Sequence, residues 1–241
     1  MNRTITSYED LKNAISSLKL ETFSSHSLLF RGQGNNNWKL TPSLVRGHEN
    51  HLTSEDLAIL EQEQFNKFKN EYANTNKIQK PFFKNKHQED WLLLQQQQHL
   101  ESNTSLIDWT FDYKIALFFA IEDRRLDIYN GQLWVFVIEN EKVKKDFDGE
   151  YLNYSPFEIK ESGMVTLSGF LDENYSKKLG MRKKNSQFGA FYLQPYSEIH
   201  FPLEKRSELQ VIKLIIPKEI KSNLRMENWF IDFHKKYQEL N

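Results

Sequence analysis

Two short apolar runs that end in polar residues constrain the fold of this chain more than any other feature. The first reads Leu28-Leu29-Phe30-Arg31-Gly32-Gln33-Gly34, and the second reads Leu106-Ile107-Asp108-Trp109-Thr110. Runs of this length predict buried strands, so we expect Arg31 and Asp108 on adjacent central strands, facing one cleft. An arginine followed by Gly-x-Gly suits an anion or nucleotide clamp, because the guanidinium is a rigid fork of donors and glycine lets backbone approach a ligand closely. The same residues also fit a strand, a turn and one paired arginine without any ligand.

Composition sets the broad class of the protein. The chain has 241 residues, of which 39% are hydrophobic and 14% aromatic, and this is enough to bury the core of one globular domain. The net charge of -1 argues against duplex DNA or an anionic membrane as a general partner. The absence of cysteine excludes thiol catalysis, disulfides and cysteine-ligated zinc. No apolar run approaches the roughly 18 residues of a membrane span, and no apolar signal-peptide segment begins the chain, so we expect a cytoplasmic protein.

The order of apolar patterns predicts one α+β domain over residues 1–241, with a mixed central sheet and flanking helices. Its motif core spans about 24–216, and a C-terminal helix over about 218–238 docks through Trp229, Phe233 and Tyr237. The predicted helices cover residues 7–19, 53–72, 89–99 and 112–122, and the predicted strands cover residues 27–31, 104–109, 133–138, 188–193 and 211–216.

Two polar stretches have more than one interpretation. Glutamines 95–98 are too few for a low-complexity tract, so we expect a solvated face of the helix over 89–99. The longest irregular segments are 74–88 and 145–185, and the second contains five basic residues between Lys177 and Lys184. This basic run is either a solvated loop or a mobile flap that attracts a phosphate-bearing substrate.

Standard enzyme motifs are absent from the chain. It contains no phosphate-binding P-loop, no Gly-x-Ser-x-Gly and no His-Glu-x-x-His. The histidines do not cluster at ligand spacing, so we expect no bound metal. His99 ends a predicted helix just before the strand of Asp108, where it is either a cation favoured by the helix dipole or a structural histidine.

Several separated motifs resemble the FRG domain. They are Phe-Arg-Gly-Gln at 30–33, Leu-Thr-Pro-Ser-Leu at 40–44 with Arg46, Gln98-His99, Thr104, Leu-Ile-Asp-Trp-Thr at 106–110 and Ala-Leu-Phe-Phe-Ala at 116–120. The resemblance covers most of residues 24–216. The family usually has Gly-Leu-Pro-Thr-Arg where this chain has Glu101-Ser102-Asn103-Thr104-Ser105, so Ser105 replaces a second arginine.

The motif order is also similar to the three-part layout of ADP-ribosyltransferase-like folds, which implies NAD as a substrate. In this layout Arg31 pairs with the pyrophosphate, Trp109 or Tyr113 stacks on nicotinamide or adenine, and Gln187 opens a late strand and binds a ribose hydroxyl. Because Gln187 carries no charge, Asp108 or Glu101 would supply the carboxylate beside an oxocarbenium-like transition state. The implied catalytic residues are Arg31, Asp108 and Gln187, and the implied NAD-binding residues are Arg31, Gly32, Gln33, His99, Thr104, Trp109, Thr110 and Tyr113.

Two functions follow as hypotheses. The first is an NAD-dependent ADP-ribosyltransferase or NAD glycohydrolase, which acts as a bacterial toxin or phage-defence effector on nucleic acid or protein. The second is a non-catalytic FRG-type module that binds a nucleotide or a phosphorylated partner, which the serine at 105 and the glutamine at 187 favour. A metal-dependent nuclease is weaker, because the acidic residues are scattered.

Overall fold

A single mixed sheet organises the chain, as shown by a computed structural model that describes residues 2–21, 25–46, 48, 52–75, 86–99, 103–144, 153–158, 163–165 and 189–239. The strands are β1 (Asn2–Thr4), β2 (His26–Gln33), β3 (Leu106–Thr110), β4 (Gly131–Glu139), β5 (Val143–Lys144), β6 (Gly163–Val165), β7 (Gly189–Leu193) and β8 (Gln210–Ile216). The helices are α1 (Tyr8–Glu21), α2 (Ser43–Arg46), α3 (Ser54–Thr75), α4 (Lys86–His99), α5 (Tyr113–Ile121), α6 (Lys218–Arg225) and α7 (Asn228–Glu239). The predicted α+β class with a mixed central sheet is confirmed.

The sheet has the order β1-β8-β4-β2-β3-β7-β6-β5. The pairs β1–β8 and β5–β6 are parallel, and the other neighbouring strands are antiparallel. The two apolar runs that opened the sequence analysis form β2 and β3, which are neighbours at the centre of the sheet. Strand β2 is paired along its whole length with β4, and β3 along its whole length with β7.

Side-chain caps begin the helices where the sequence changes from polar to apolar. Thr53 Oγ1 accepts a hydrogen bond from Asp56 N, and the Asp56 carboxylate accepts one from Thr53 N, so a capping box begins α3. Asp112 caps α5 by accepting a hydrogen bond from Lys114 N at 2.8 Å. The helix that follows β3 is therefore capped by Asp112, which leaves Asp108 for other contacts.

Apolar side chains form several clusters around the sheet. One cluster joins α1 and α5 to β2, β4 and β8, and Phe30, Phe118 and Val135 belong to it. A second contains Leu29, Trp109 and Trp134. A third joins α3 and α4 to β3 and β7. Buried apolar surface of this extent is the main driving force of folding.

Three predictions are wrong, one about burial and two about secondary structure. Glutamines 95–97 do not form a solvated face, because all three side chains are buried in α4. The C-terminal segment is not one helix: α6 ends at Arg225, α7 begins at Asn228, and Trp229 and Phe233 pack on the core from α7. Strand β6 lies within the segment 145–185 that was predicted to be irregular.

Among the helices that the structure describes, none has the length and hydropathy needed to span a bilayer.

Candidate functional site

Arg31 and Asp108 form an ion pair between the two central strands. Arg31 Nη1 donates a hydrogen bond of 2.8 Å to the Asp108 backbone oxygen, and the same nitrogen contacts the Asp108 carboxylate. The Arg31 side chain is 11% exposed, whereas that of Asp108 is 50% exposed. The prediction that these residues lie on adjacent central strands is confirmed, and their side chains contact each other. That they face one cleft stays a prediction.

The contact exists because β2 and β3 pair only briefly. Phe30 and Thr110 are the one registered pair between these two strands, both of which are fully described. Beyond that pair, the Asp108 carbonyl oxygen accepts a hydrogen bond from the Arg31 side chain. A side chain thus bridges the two strands near the ends of the predicted runs.

Gln98 connects this ion pair to the loop before β3. Its Nε2 lies 3.4 Å from Asp108 Oδ1, and its Oε1 accepts hydrogen bonds from Thr104 Oγ1 and, at 3.3 Å, from Ser43 Oγ. Thr104 was predicted as a ligand-binding residue, and in the structure its hydroxyl donates a hydrogen bond to Gln98. Gln98 was assigned to a solvated face, so its place beside Asp108 was missed.

Arg46 interacts electrostatically with this ion pair. It is the last residue of α2, and its side chain is exposed. Desolvation by the surrounding protein and then the positive charge of Arg31 lower the pKa of Arg46, while the charge of Asp108 raises it. The two arginines are therefore close enough to repel one another, with Asp108 as the nearby carboxylate. The term Arg31 site is used below for Arg31, Ser43, Arg46, Gln98, Thr104 and Asp108.

The predicted aromatic platforms lie in the hydrophobic core. Trp109 is 2% exposed and packs on Phe136 with ring centroids 5.4 Å apart. Tyr113 is partly buried against the apolar cluster that joins α1 and α5 to the sheet, and its ring packs edge-on against Phe30. The structure does not bring these two rings together, and the buried Trp109 offers no open face for stacking on a ligand.

The remaining predicted residues of the β2 and β3 ends have contacts within the protein. Gln33 Oε1 accepts hydrogen bonds from Gln132 Nε2 at 2.5 Å and from Trp134 Nε1 at 2.8 Å. Thr110 Oγ1 accepts one from Asp112 N at 3.2 Å. At Gly32 the close neighbour is not a ligand but α5, since an added Cβ would lie 1.7 Å from a backbone oxygen of that helix.

Several predicted residues fall outside the described part of the chain. These are Gln187, Glu101 and the basic run Lys177–Lys184. His99 ends α4, but its side chain is also outside that part. Their predicted roles therefore stay predictions.

Glu61 is a buried acidic residue that the sequence analysis did not single out. It is 0% exposed, and it accepts hydrogen bonds from Ser105 N at 2.6 Å, Ser105 Oγ at 3.1 Å and Tyr196 Oη at 2.6 Å. A signal was present, because Leu57, Glu61 and Phe65 follow one another at intervals of four and so share one face of α3. Burial raises the pKa of Glu61, although the three hydrogen bonds act in the opposite direction.

No group of three or more histidine or acidic side chains is arranged to hold a metal ion within the described ranges.

The comparisons with known proteins agree with the motifs of the Arg31 site. No curated protein and no solved structure shows significant similarity to this chain. A family model does match part of it, and the matching part contains β2, β3, α5 and every residue of the Arg31 site. Residues 26–127 match the model of the FRG domain, which supports an FRG domain in this part of the chain.

Proposed function

We propose that the Arg31 site binds the phosphate groups of a nucleotide, and that the nucleotide is NAD. The observation that carries this proposal is the ion pair of Arg31 with the half-exposed Asp108 carboxylate, with Arg46 near enough for its charge to interact with both. Two guanidinium groups and one carboxylate leave a net positive charge beside an exposed surface. Arginine forks match phosphate oxygens in geometry and charge, and a bound phosphate would relieve the repulsion between them.

The internal contacts of Arg31 leave it with donors for a ligand. Its Nη1 is the nitrogen that binds Asp108, so the contact does not use the whole fork. Its Nε is buried and has no hydrogen-bond partner among the residues that the structure describes. Buried donors of this kind are uncommon and call for an explanation. Small shifts of the guanidinium toward a phosphate would satisfy this nitrogen.

The choice of NAD follows from the resemblance of the motif order to ADP-ribosyltransferase-like folds. In that layout the pyrophosphate belongs at Arg31, and the two arginines of the site would each contact one phosphate. The buried position of Trp109 means that another group must contact the nicotinamide ring. The described contacts therefore support phosphate recognition more directly than ring recognition.

Cleavage of NAD is the second candidate, and the half-exposed carboxylate of Asp108 favours it. In this reaction the bond between the nicotinamide nitrogen and ribose C1′ breaks, and its electron pair leaves with nicotinamide. Water, or a nucleic-acid or protein acceptor, then bonds to C1′ through an oxygen or nitrogen and loses a proton. Asp108 would stabilise the positive charge that develops on the ribose.

The test is to titrate the purified protein with NAD and with ADP-ribose while free nicotinamide is measured. Saturable binding without nicotinamide supports the binding module, and nicotinamide release supports the enzyme. Arg46→Gln should weaken either activity about tenfold, the effect of losing one charge-assisted phosphate contact. Arg125→Gln is the matched control, because Arg125 is exposed and pairs with Asp123 outside the site. Absence of both binding and cleavage by the wild-type protein would overturn the proposal.

A further inference from the structure

The two residues just before β3, Thr104 and Ser105, are hydrogen-bonded to several other elements. Thr104 N donates to Ser43 Oγ at 3.1 Å, and Leu44 N donates to Thr104 O at 3.2 Å, which joins α2 to this point. Ser105 N donates to Glu61 Oε1 at 2.6 Å, and Gln194 N donates to Ser105 O at 3.5 Å. Backbone amides in a buried segment need such partners, and here Glu61 supplies one.

Glu61 joins three elements at this point. Its Oε1 accepts hydrogen bonds from the backbone N and the hydroxyl of Ser105, the residue before β3, and its Oε2 accepts one from the Tyr196 hydroxyl in the turn Tyr196–Glu198. The residue itself stands on α3. A buried carboxyl group with donors on both oxygens has one orientation, so it can set the relative position of the three elements.

A short series of hydrogen bonds leads from this point to the Arg31 site. Thr104 adjoins Ser105, and its hydroxyl donates to Gln98 Oε1. The amide of Gln98 in turn lies 3.4 Å from Asp108 Oδ1. Asp108 is also the third residue of β3, which begins directly after Ser105, so a shift where the strand begins reaches it through the backbone as well.

We propose that Glu61 is a positioning residue that sets where β3 begins and, through Thr104 and Gln98, where Asp108 stands in the Arg31 site. The link to ligand binding rests on the function proposed above, while the link to the position of β3 does not.

Glu61 accepts all three hydrogen bonds from Ser105 and Tyr196, so both of its oxygens act as acceptors. Tyr196 stays the donor, since burial and the nearby Glu61 raise its own pKa.

The experiment compares Glu61→Ala and Glu61→Gln with the wild-type protein by two readouts. Hydrogen exchange of the Ser105 amide reports the position of β3, and the Kd for ADP-ribose reports the Arg31 site. Glu61→Ala should speed Ser105 exchange and weaken ADP-ribose binding, each about tenfold, because a buried donor loses its acceptor. Glu61→Gln should restore both, since its carbonyl oxygen accepts from Ser105 and its amide group can bond to Tyr196.

Recovery in Glu61→Gln separates loss of the hydrogen bonds from loss of the charge, because glutamine keeps an acceptor for Ser105 and carries no charge. Glu63→Gln is the matched control, because Glu63 is exposed on the same helix. Should Glu61→Ala not fold, Tyr196→Phe removes the donor to Oε2 and should give a weaker effect in the same direction.

Two results would overturn the proposal. One is that Glu61→Ala keeps the wild-type rate of Ser105 amide exchange and the wild-type affinity for ADP-ribose. The other is that the melting temperature of Glu61→Ala falls while the affinity of the folded protein is unchanged. If the wild-type protein does not bind ADP-ribose at all, the proposed nucleotide function fails. The exchange of Ser105 in the two Glu61 variants then still decides whether Glu61 positions β3.

Discussion

The two sides of β2 differ in how they join their neighbouring strands. Toward β4, pairing runs along the whole strand from His26 to Gln33. Toward β3, pairing is limited to Phe30 and Thr110, and the Arg31 side chain bridges the rest. A continuous ladder holds a strand in place, whereas a brief one leaves backbone groups and side chains for other partners. The fold therefore depends on the β4 side, and the Arg31 site depends on the β3 side.

Helix packing reinforces the β4 side. Gly32 lies against the backbone of α5, and the buried Lys221 donates to Gly34 O and Leu126 O at 2.9 Å each. These contacts fix the end of β2 and the residue that follows it. The glycines of the Arg-Gly-Gln-Gly motif thus serve the scaffold, while the arginine before them serves the site.

The largest effect should come from Gly32→Ala, which tests the scaffold side. The added methyl group would meet Ala116 O at 1.7 Å and Ala120 N at 2.9 Å, so α5 would have to move. We expect the free energy of unfolding to fall by more than about 3 kcal/mol, as measured by urea denaturation.

Gly34→Ala is the matched control for this prediction. Its added methyl group meets the end of the Leu126 side chain at 2.5 Å, which can rotate away. The expected loss is only about 1 kcal/mol. Equal losses in the two variants would show that α5 yields easily and would weaken the assignment of Gly32 to the scaffold.

Arg31→Lys tests the β3 side and should destabilise the protein less than Gly32→Ala does. Lysine keeps the charge but loses the planar fork, so the Kd for ADP-ribose should rise about 10- to 100-fold. The free energy of unfolding should change by less than about 1 kcal/mol, because half of the Asp108 side chain is exposed and solvent screens the pair. A marked drop in melting temperature with unchanged affinity of the folded protein would make Arg31 a scaffold residue.

Asp108→Asn separates binding from chemistry at the same site. Removal of the carboxylate charge leaves two arginines for the anion, so ADP-ribose should bind about 3- to 10-fold more tightly. Any release of nicotinamide from NAD should fall, because the group that would stabilise the ribose cation is gone. Titration calorimetry and a nicotinamide assay measure the two effects. Weaker ADP-ribose binding would mean that Asp108 orients Arg31 more than it competes with phosphate.

The smallest effect is expected far from the site, at Asp10 of α1. Its carboxylate accepts from Thr6 N at 2.9 Å and from Arg3 Nη2 at 2.6 Å, and the Thr6 contact is the main cause of its lowered pKa. Asp10→Asn should cost about 0.5 to 1 kcal/mol at pH 7.

The pH dependence of that cost has a definite sign. A lowered pKa means that the stabilisation is complete above the ordinary aspartate value and is lost as the pH falls through the lowered one. The difference between wild type and Asp10→Asn in urea denaturation should therefore shrink on acidification, with ADP-ribose affinity unchanged. A difference that grows at low pH would contradict the assigned contacts.

Local patterns predicted much of the framework because they depend on residues close together in the chain. The apolar runs became β2 and β3, and the Thr53–Asp56 pattern became the cap of α3. The pattern of polar strand ends also predicted that Arg31 and Asp108 would meet. The C-terminal segment was wrongly predicted to be one helix, since Met226 and Glu227 separate α6 from α7.

Only the tertiary structure decided which polar groups are buried and what they contact. Glutamines 95–97 and Glu61 look like solvent-facing residues in sequence, because hydropathy does not record a distant partner that satisfies a polar group. Ser105 and Tyr196, the partners of Glu61, lie 44 and 135 residues from it along the chain. Similarly, the apolar runs determined that β2 and β3 are strands, but the brief pairing between them follows from the packing of the whole sheet. Strand formation is a local property of the sequence, whereas the extent of pairing between two strands depends on every element that packs around them.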